Sequence, residues 1–531
     1  MDLQADVVIV GFGAAGACAA LEAAAAGARV IIIDRFSGGG STALSGGVVY
    51  AGGGTIQQLQ AGVQDTPEAM LGYLRHEVGD AVSEDTLRDF CDHSAAMLAW
   101  LTSKGVRFDG RLCPDKTSYP PNRYYLYYSG SELSFASDAP PAPRGHRAVG
   151  RGTSGGVLFD GLAAAVRAAG ITVLTETRAV ELITGAQGRV TGVACQSLRA
   201  APAWARITHR IGHRLGKKAY LYGGSFGHRL HAPVAALERA HARPLRIGAA
   251  AGVVLAAGGF SANREMLREH APAYRGGLPL GTVADDGSGI RLGLLAGGTG
   301  RLLDRVSCWR FITPPAAFLS GVLVDQAGRR VCDESRYGAA IGEAMVREHD
   351  RRAWLVADAG IVSRSWRQLA RRVQWFQLLQ AVYLLTRARV SAPTLTAAAA
   401  RAGVDADGVE ATVADYNAAV MEGRPDPSGK PAELTAVLRR PPFSLIDLSI
   451  RPRAAYPAPM LTLGGLAVSE QTGQVMRADG SVVAGLYAAG RNAAGLCSNS
   501  YVSGLSLADC VYSGRRAGRN AVISGKLSYQ N

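Results

Sequence analysis

Gly11-Phe12-Gly13-Ala14-Ala15-Gly16 is the first place along this 531-residue chain where residue types and spacing suit a particular chemistry. It follows the β-branched apolar run Val7–Val10 and leads into an Ala-rich stretch reaching about Ala26. Gly27 punctuates that stretch, and a second apolar run, Arg29–Ile33, ends in Asp34-Arg35. The pattern predicts a strand, a helix and a second strand. Gly11 permits a tight turn, Gly13 lets backbone approach a pyrophosphate, and Gly16 allows close packing of helix on strand. Ala14 and Ala15 open the helix, whose first N–H groups face phosphate charge. Asp34 is placed to accept from a ribose diol, and Arg35 is expected in the same site.

A second glycine-rich loop, Gly38–Gly47, comes directly after. A nicotinamide dinucleotide does not need one there. FAD is longer, and its pyrophosphate and isoalloxazine need further close backbone approach, so Ser41, Thr42, Ser45, Gly46 and Gly47 are expected to contact it. Near the C-terminus, Tyr501-Val502-Ser503-Gly504 immediately precedes Ser506-Leu507, which open a helix. Such a helix start stabilises negative charge on a reduced ring. Hydroxyls beside it can polarise a neutral carbonyl or pass a proton, although a hydroxyl alone is a weak base.

The elements that position these groups span the chain. Val253–Phe260 reads as a strand ending in Ala257-Gly258-Gly259, and Gly485–Gly490 as a last strand and turn. A hydrophobic fraction of 48% supports two sizeable cores. The eight Cys are scattered with no CxxC pair, which favours a reducing compartment, and the His residues show no metal-ligand spacing. No basic segment precedes Val7, so a secretory signal is not expected, and no apolar run has membrane-spanning length. The formal net charge of +14 calls for an anionic partner or surface. No nucleic-acid module is present.

These segments resemble the fumarate reductase/succinate dehydrogenase flavoprotein superfamily. Val253–Phe260 is similar to its "ATGGF" element, and Ala284-Asp285-Asp286-Gly287-Ser288-Gly289-Ile290 to its "GDGI" element, which adds Ala257, Gly258, Asp286 and Gly490 to the expected cofactor contacts. Covalent members carry a flavin-attached His in the second loop. Here Gly40-Ser41-Thr42 stands there, so non-covalent FAD is implied. The implied fold is α/β, a Rossmann-like FAD-binding domain of glutathione-reductase type with an inserted α+β cap. The expected FAD domain is 1–300 plus 452–531, with the cap at 301–451. Within the cap, Gly321–Asp325 is expected as a strand and Arg364–Arg389 and Leu395–Glu422 as helical.

Two segments bear on the substrate. Fumarate reductases hold a dicarboxylate with arginines in an "RFxNExxxR" and a late "RxGGN" element. This chain has Arg330–Gly338 and Asn499–Ser506 instead, with Tyr337 and Tyr501 in those neighbourhoods. A dicarboxylate would lack its forked partners, whereas a neutral ketone needs only hydroxyl and N–H donors. Tyr-x-Ser-Gly-Leu-Ser-Leu-Ala-Asp resembles 3-ketosteroid dehydrogenases of the Δ4-(5α) type, an assignment resting mainly on Ser503. The resemblance implies that Ser503 takes the C4 proton, relayed through Tyr501 and Tyr337, while C5 gives hydride to flavin N5 and an external acceptor takes the electrons. The alternatives are a Δ1-dehydrogenase, a reductase of a small unsaturated acid, and a flavoprotein subunit docked to a membrane electron-transfer complex. Tyr124–Tyr128 reads either as channel lining or as a packed aromatic edge.

Residues 199–247 look like an insertion. Trp204, Ile207, Ile211 and Leu215 fall at helical spacing, with Arg206, Arg210, Arg214, Lys217 and Lys218 mostly off that stripe. A basic amphipathic helix implies peripheral contact with a membrane, here the inner face of the cytoplasmic membrane, where a sterol partitions. The competing expectation is a hairpin packed on its own domain.

Overall fold

A computed structural model of the chain describes residues 1–223, 225–274, 277–369, 374–451 and 455–528. At its centre lies an eight-stranded sheet. Leu3–Val10 runs parallel to Val30–Ile33 on one side and to Arg243–Leu255 on the other. Thr172–Leu174 extends the sheet beyond Val30–Ile33, and Val482–Ala488 pairs parallel with Arg243–Leu255 from the far end of the chain. A strand flanked and covered in this way must be apolar on both faces. Val7, Val8 and Ile9 are accordingly 0% exposed.

The expected strand–helix–strand unit is present, with its helix at Ala14–Ala25. The long final helix, Leu505–Ser528, packs against it through small residues: a Cβ on Gly514 or Gly518 would meet the backbone of Ala15 or Ala19 at 2.5 and 2.1 Å.

Two smaller antiparallel sheets frame the site. One joins Val48–Tyr50, Gly145–Arg147 and Leu126–Tyr127. The other, in the order Val322–Val324, Trp354–Ala357, Phe443–Asp447 and Arg389–Ala392, has its own core around Phe318, Leu355, Tyr416 and Leu445. The strand expected at Gly321–Asp325 is thus Val322–Val324. The helical stretches resolve into Ala359–Leu369, Trp375–Thr386, Leu395–Ala402 and Ala406–Glu422.

Ser197 and Arg243 are paired neighbours on adjacent antiparallel strands, and the chain between them forms two helices, Ala203–Gly223 and Ser225–His241. The helical periodicity read from the sequence is borne out, but its apolar stripe faces solvent. Trp204, Ile207, Ile211 and Leu215 are 55–66% exposed, while His209, His213 and His231 are buried on the inner side. Arg210 bonds the buried Glu176 at 2.9 Å, so this polar face does the packing. Among the described residues no helix is long and apolar enough to cross a membrane.

Candidate active site

A single cleft of about 590 Å³ collects almost every expected site residue. Gly11 opens it from the end of the first strand. Its φ is +108°, and an added Cβ would lie 2.5 Å from the Ala256 carbonyl oxygen, so only glycine fits the turn. Gly16 does not line the cleft; a Cβ there would sit 1.9 Å from the Gly11 carbonyl oxygen, the close helix-on-strand approach expected of it. Gly13, by contrast, faces open space apart from Thr42 Oγ1, 3.4 Å from its notional Cβ. The Ala14 N–H donates to the same Thr42 Oγ1 at 3.0 Å, tying the second loop to the helix start. Asp34 accepts from the Phe12 N–H at 2.9 Å on one oxygen and from the N–H groups of Phe36 at 2.8 Å and Gly38 at 3.3 Å on the other, so the first oxygen keeps a further lone pair.

Asp285 links four separate stretches around this cleft. Its carboxylate accepts from Arg491 at 2.6 Å, from the Thr282 N–H at 3.0 Å, from the Gly259 N–H at 3.3 Å, and from the Ser41 hydroxyl. The neighbouring Asp286 pairs with Arg35 at 3.3 Å, and both Asp286 and Arg35 line the cleft as expected. Ala257, Gly258, Ser45, Gly46, Gly47 and Gly490 line it too.

The hydroxyl group expected near the C-terminus is assembled from three distant segments. Gly504 has φ +94°, and a Cβ there would lie 2.8 Å from the Tyr50 nitrogen. The Tyr50 N–H donates to the Gly504 carbonyl at 3.1 Å, and the Ser129 hydroxyl donates to the Ser503 carbonyl at 2.9 Å. The small sheet therefore pins the Ser503-Gly504 backbone. Ser503 Oγ lies 3.2 Å from the Tyr127 hydroxyl. Tyr337 stands at the start of the Gly338–Glu348 helix, its N–H donating to Ser131 Oγ at 3.0 Å. Its ring lies 6.2 Å from that of Tyr501, with Trp309 and Phe311 completing an aromatic wall at 4.9 Å from Tyr501 and 5.5 Å from Tyr337.

Burial pushes the phenols of Tyr127, Tyr337 and Tyr501 above their ordinary range, and a hydrogen bond with Ser503 only partly offsets this for Tyr127 and Tyr337. These phenols are held as neutral hydroxyls, each able to donate one hydrogen bond. Ser506 and Leu507 line the cleft in the first turn of the final helix, where N–H groups have no partner within the helix.

A family model described as an FAD binding domain matches residues 6–504. The chain belongs to that family. The cleft of this FAD-binding flavoprotein fits the cofactor on its own terms: bare backbone at Gly13, a helix start beside it, and Asp34 beyond. The chain is 35% identical over 498 residues to the 3-oxo-5-alpha-steroid 4-dehydrogenase of Comamonas testosteroni, covering 91% of this chain and 92% of that protein. It is 27% identical over 563 residues to a 3-oxosteroid 1-dehydrogenase of Mycobacterium tuberculosis, covering 93% and 94%. A crystal structure of 3-ketosteroid-delta4-(5alpha)-dehydrogenase from Rhodococcus jostii RHA1 in complex with 4-androstene-3,17-dione superimposes with TM-score 0.81 and 29% identity, covering 98% of this chain and 97% of that one.

Sequence reasoning missed three residues of this flavoprotein's cleft region. Of the two readings of Tyr124–Tyr128 packing holds, since none lines the cleft and Tyr127 is 0% exposed in a small core with Val48 and Tyr119, but the bond of Tyr127 to Ser503 has no sequence signal. Asp285 was passed over for its neighbour Asp286, and its partner Arg491 carries no local signal.

Proposed function

We propose that this protein dehydrogenates a 3-ketosteroid between C4 and C5, a 3-oxo-5α-steroid 4-dehydrogenase with non-covalently bound FAD. The observation that carries the reading is the Ser503 hydroxyl, backed by the buried Tyr127 and lining an aromatic-walled cleft together with Tyr337 and Tyr501. A ketone at C3 acidifies the C4 hydrogen, and a hydroxyl hydrogen bond to the ketone oxygen stabilises the enolate that develops. Ser503 accepts the C4 proton while its own proton moves along the hydroxyl relay. One of Tyr501 and Tyr337 donates to the ketone oxygen, and the other passes the serine proton on to solvent. FAD, when bound, supplies the hydride acceptor for C5, and an external acceptor removes the electrons.

Incubation of the holoprotein with 5α-androstane-3,17-dione and a dye acceptor is expected to give the 4-ene product. A 1-ene product would instead assign the Δ1 reaction, and turnover of fumarate alone would discard the steroid reading.

The supporting architecture is a Rossmann-like FAD-binding domain of glutathione-reductase type built from 1–300 and 452–531, with 301–451 as the cap. The sheet of Val322–Val324 and its neighbours supports this division by having a core of its own.

A cytoplasmic protein resting on an anionic membrane surface accounts for the charge and the exposed apolar faces. The outer stripe of Trp204, Ile207, Ile211 and Leu215 faces solvent, and Leu379, 63% exposed, also lines the cleft, so an apolar substrate enters beside apolar surface. The protein is expected to float with anionic liposomes at low salt and to lose that behaviour in an Ile207→Ser/Ile211→Ser variant. Protein left wholly in the soluble fraction under those conditions would remove the membrane reading.

A further inference from the structure

The two helices of 203–241 stand where a tight turn would suffice, because Ser197 and Arg243 already face each other across a strand pair. They lie against the part of the cleft next to Asp34. The His213 ring stacks on Phe36 with 3.8 Å between centroids and 4° between planes. Glu238, on the second helix, bonds Arg35 at 2.8 Å, and Arg35 in turn reaches Asp286 at 3.3 Å. His209 bonds the same Glu238 at 3.1 Å. Arg35, Phe36, Asp286 and His213 all line the cleft. In a strand–helix–strand nucleotide site the acid ending the second strand marks the ribose, so this wall borders the adenosine.

The ring nitrogens are ordered as well. The Gly227 carbonyl can only accept, so His231 donates to it from Nδ1 at 3.1 Å. With that N–H directed at Gly227, His231 Nε2 is placed to accept from His213 Nδ1, 3.3 Å away. His213 Nε2 is thereby left as a lone-pair acceptor. Burial, reinforced by His231 and Lys217, holds the His213 pKa down to about 3, which keeps the ring neutral. A neutral, flat acceptor in the wall suits adenine, which offers a flat face and an exocyclic amine donor.

We propose that the 203–241 hairpin is a clamp on the adenosine half of FAD, with His213 as its point of contact with the base. Its role is to retain the cofactor, and it is separate from the hydroxyl chemistry of Ser503. The clamp leaves the flavin half of the cofactor untouched.

Two variants test this. In one, residues 198–242 are replaced by Asn-Gly, a turn that joins Ser197 to Arg243 without changing strand register. In the other, His213 is replaced by alanine. Apoprotein of each is titrated with FAD and separately with FMN, which lacks the adenosine, and flavin fluorescence reports the dissociation constant. The FAD constant is expected to rise about tenfold or more in the deletion and about fivefold in His213→Ala, the scale of one lost base contact, with the FMN constant unchanged. Equal weakening of FAD and FMN, or an unchanged FAD constant in His213→Ala, would overturn the proposal. If the deletion variant does not fold, the His213→Ala titrations decide.

Discussion

Alanine at position 503 is expected to lower kcat toward a saturated 3-keto-5α-steroid by about two to four orders of magnitude, the usual contribution of a positioned proton acceptor. The reasoning is geometric. Ser503 is held by its own backbone, through Ser129 and the Tyr50–Gly504 hydrogen bond, so losing the hydroxyl does not loosen the segment. The Tyr127 phenol then loses its partner in a fully buried place, and a water entering the gap gives only partial relief. Tyr501→Phe combined with Ser503→Ala should remove measurable turnover. Flavin absorbance should persist in both variants, since neither side chain shapes the glycine loops. Stopped-flow reduction of the flavin under anaerobic conditions reads the chemical step alone. Reduction at the wild-type rate in the double variant would eliminate Ser503 as the proton acceptor.

The second large effect concerns Asp285. Replacing it with alanine leaves Arg491, its side chain only 11% exposed, without its carboxylate and removes the acceptor shared by Ser41, Thr282 and Gly259. Breaking a buried ion pair from one side costs about 3–5 kcal/mol. Four chain segments lose their common anchor at once, so FAD affinity should fall together with stability. Denaturant titration of holoprotein and apoprotein checks both. A midpoint unchanged from wild type would show that the Asp285 network is dispensable. Asp285→Asn, which keeps the shape but not the charge, should fall between the two.

What the sequence disclosed and what it concealed divide along chain separation. Gly11 through Asp34 lie within one local unit, and their spacing alone implies both the turn and the ligand chemistry. Tyr337, Tyr501 and Ser503 were reached through a resemblance, because no period or cap links position 337 to position 503. Tyr127 meets Ser503 across 376 positions and Arg491 meets Asp285 across 206, so neither contact leaves a local trace. The insertion teaches a different lesson. Helical periodicity predicts a stripe correctly but not which side it faces. Here the ion pairs to Glu176 and Arg35, with the histidine stack on Phe36, bring the polar side inward and turn Ile207 and Ile211 outward.

The central sheet also constrains how this protein comes into being. Val253–Leu255 is paired on one edge by a strand made early, but its other neighbour, Leu486–Ala488, is synthesised far later. At about 5–20 residues per second, a ribosome needs roughly ten to fifty seconds to travel from one to the other. Throughout that interval a β-branched edge stands open, the kind of surface that recruits another chain. Cofactor loading must also wait, because Gly490 and the final helix arrive last. Slower synthesis of the segment between the two strands would lengthen that exposure in proportion.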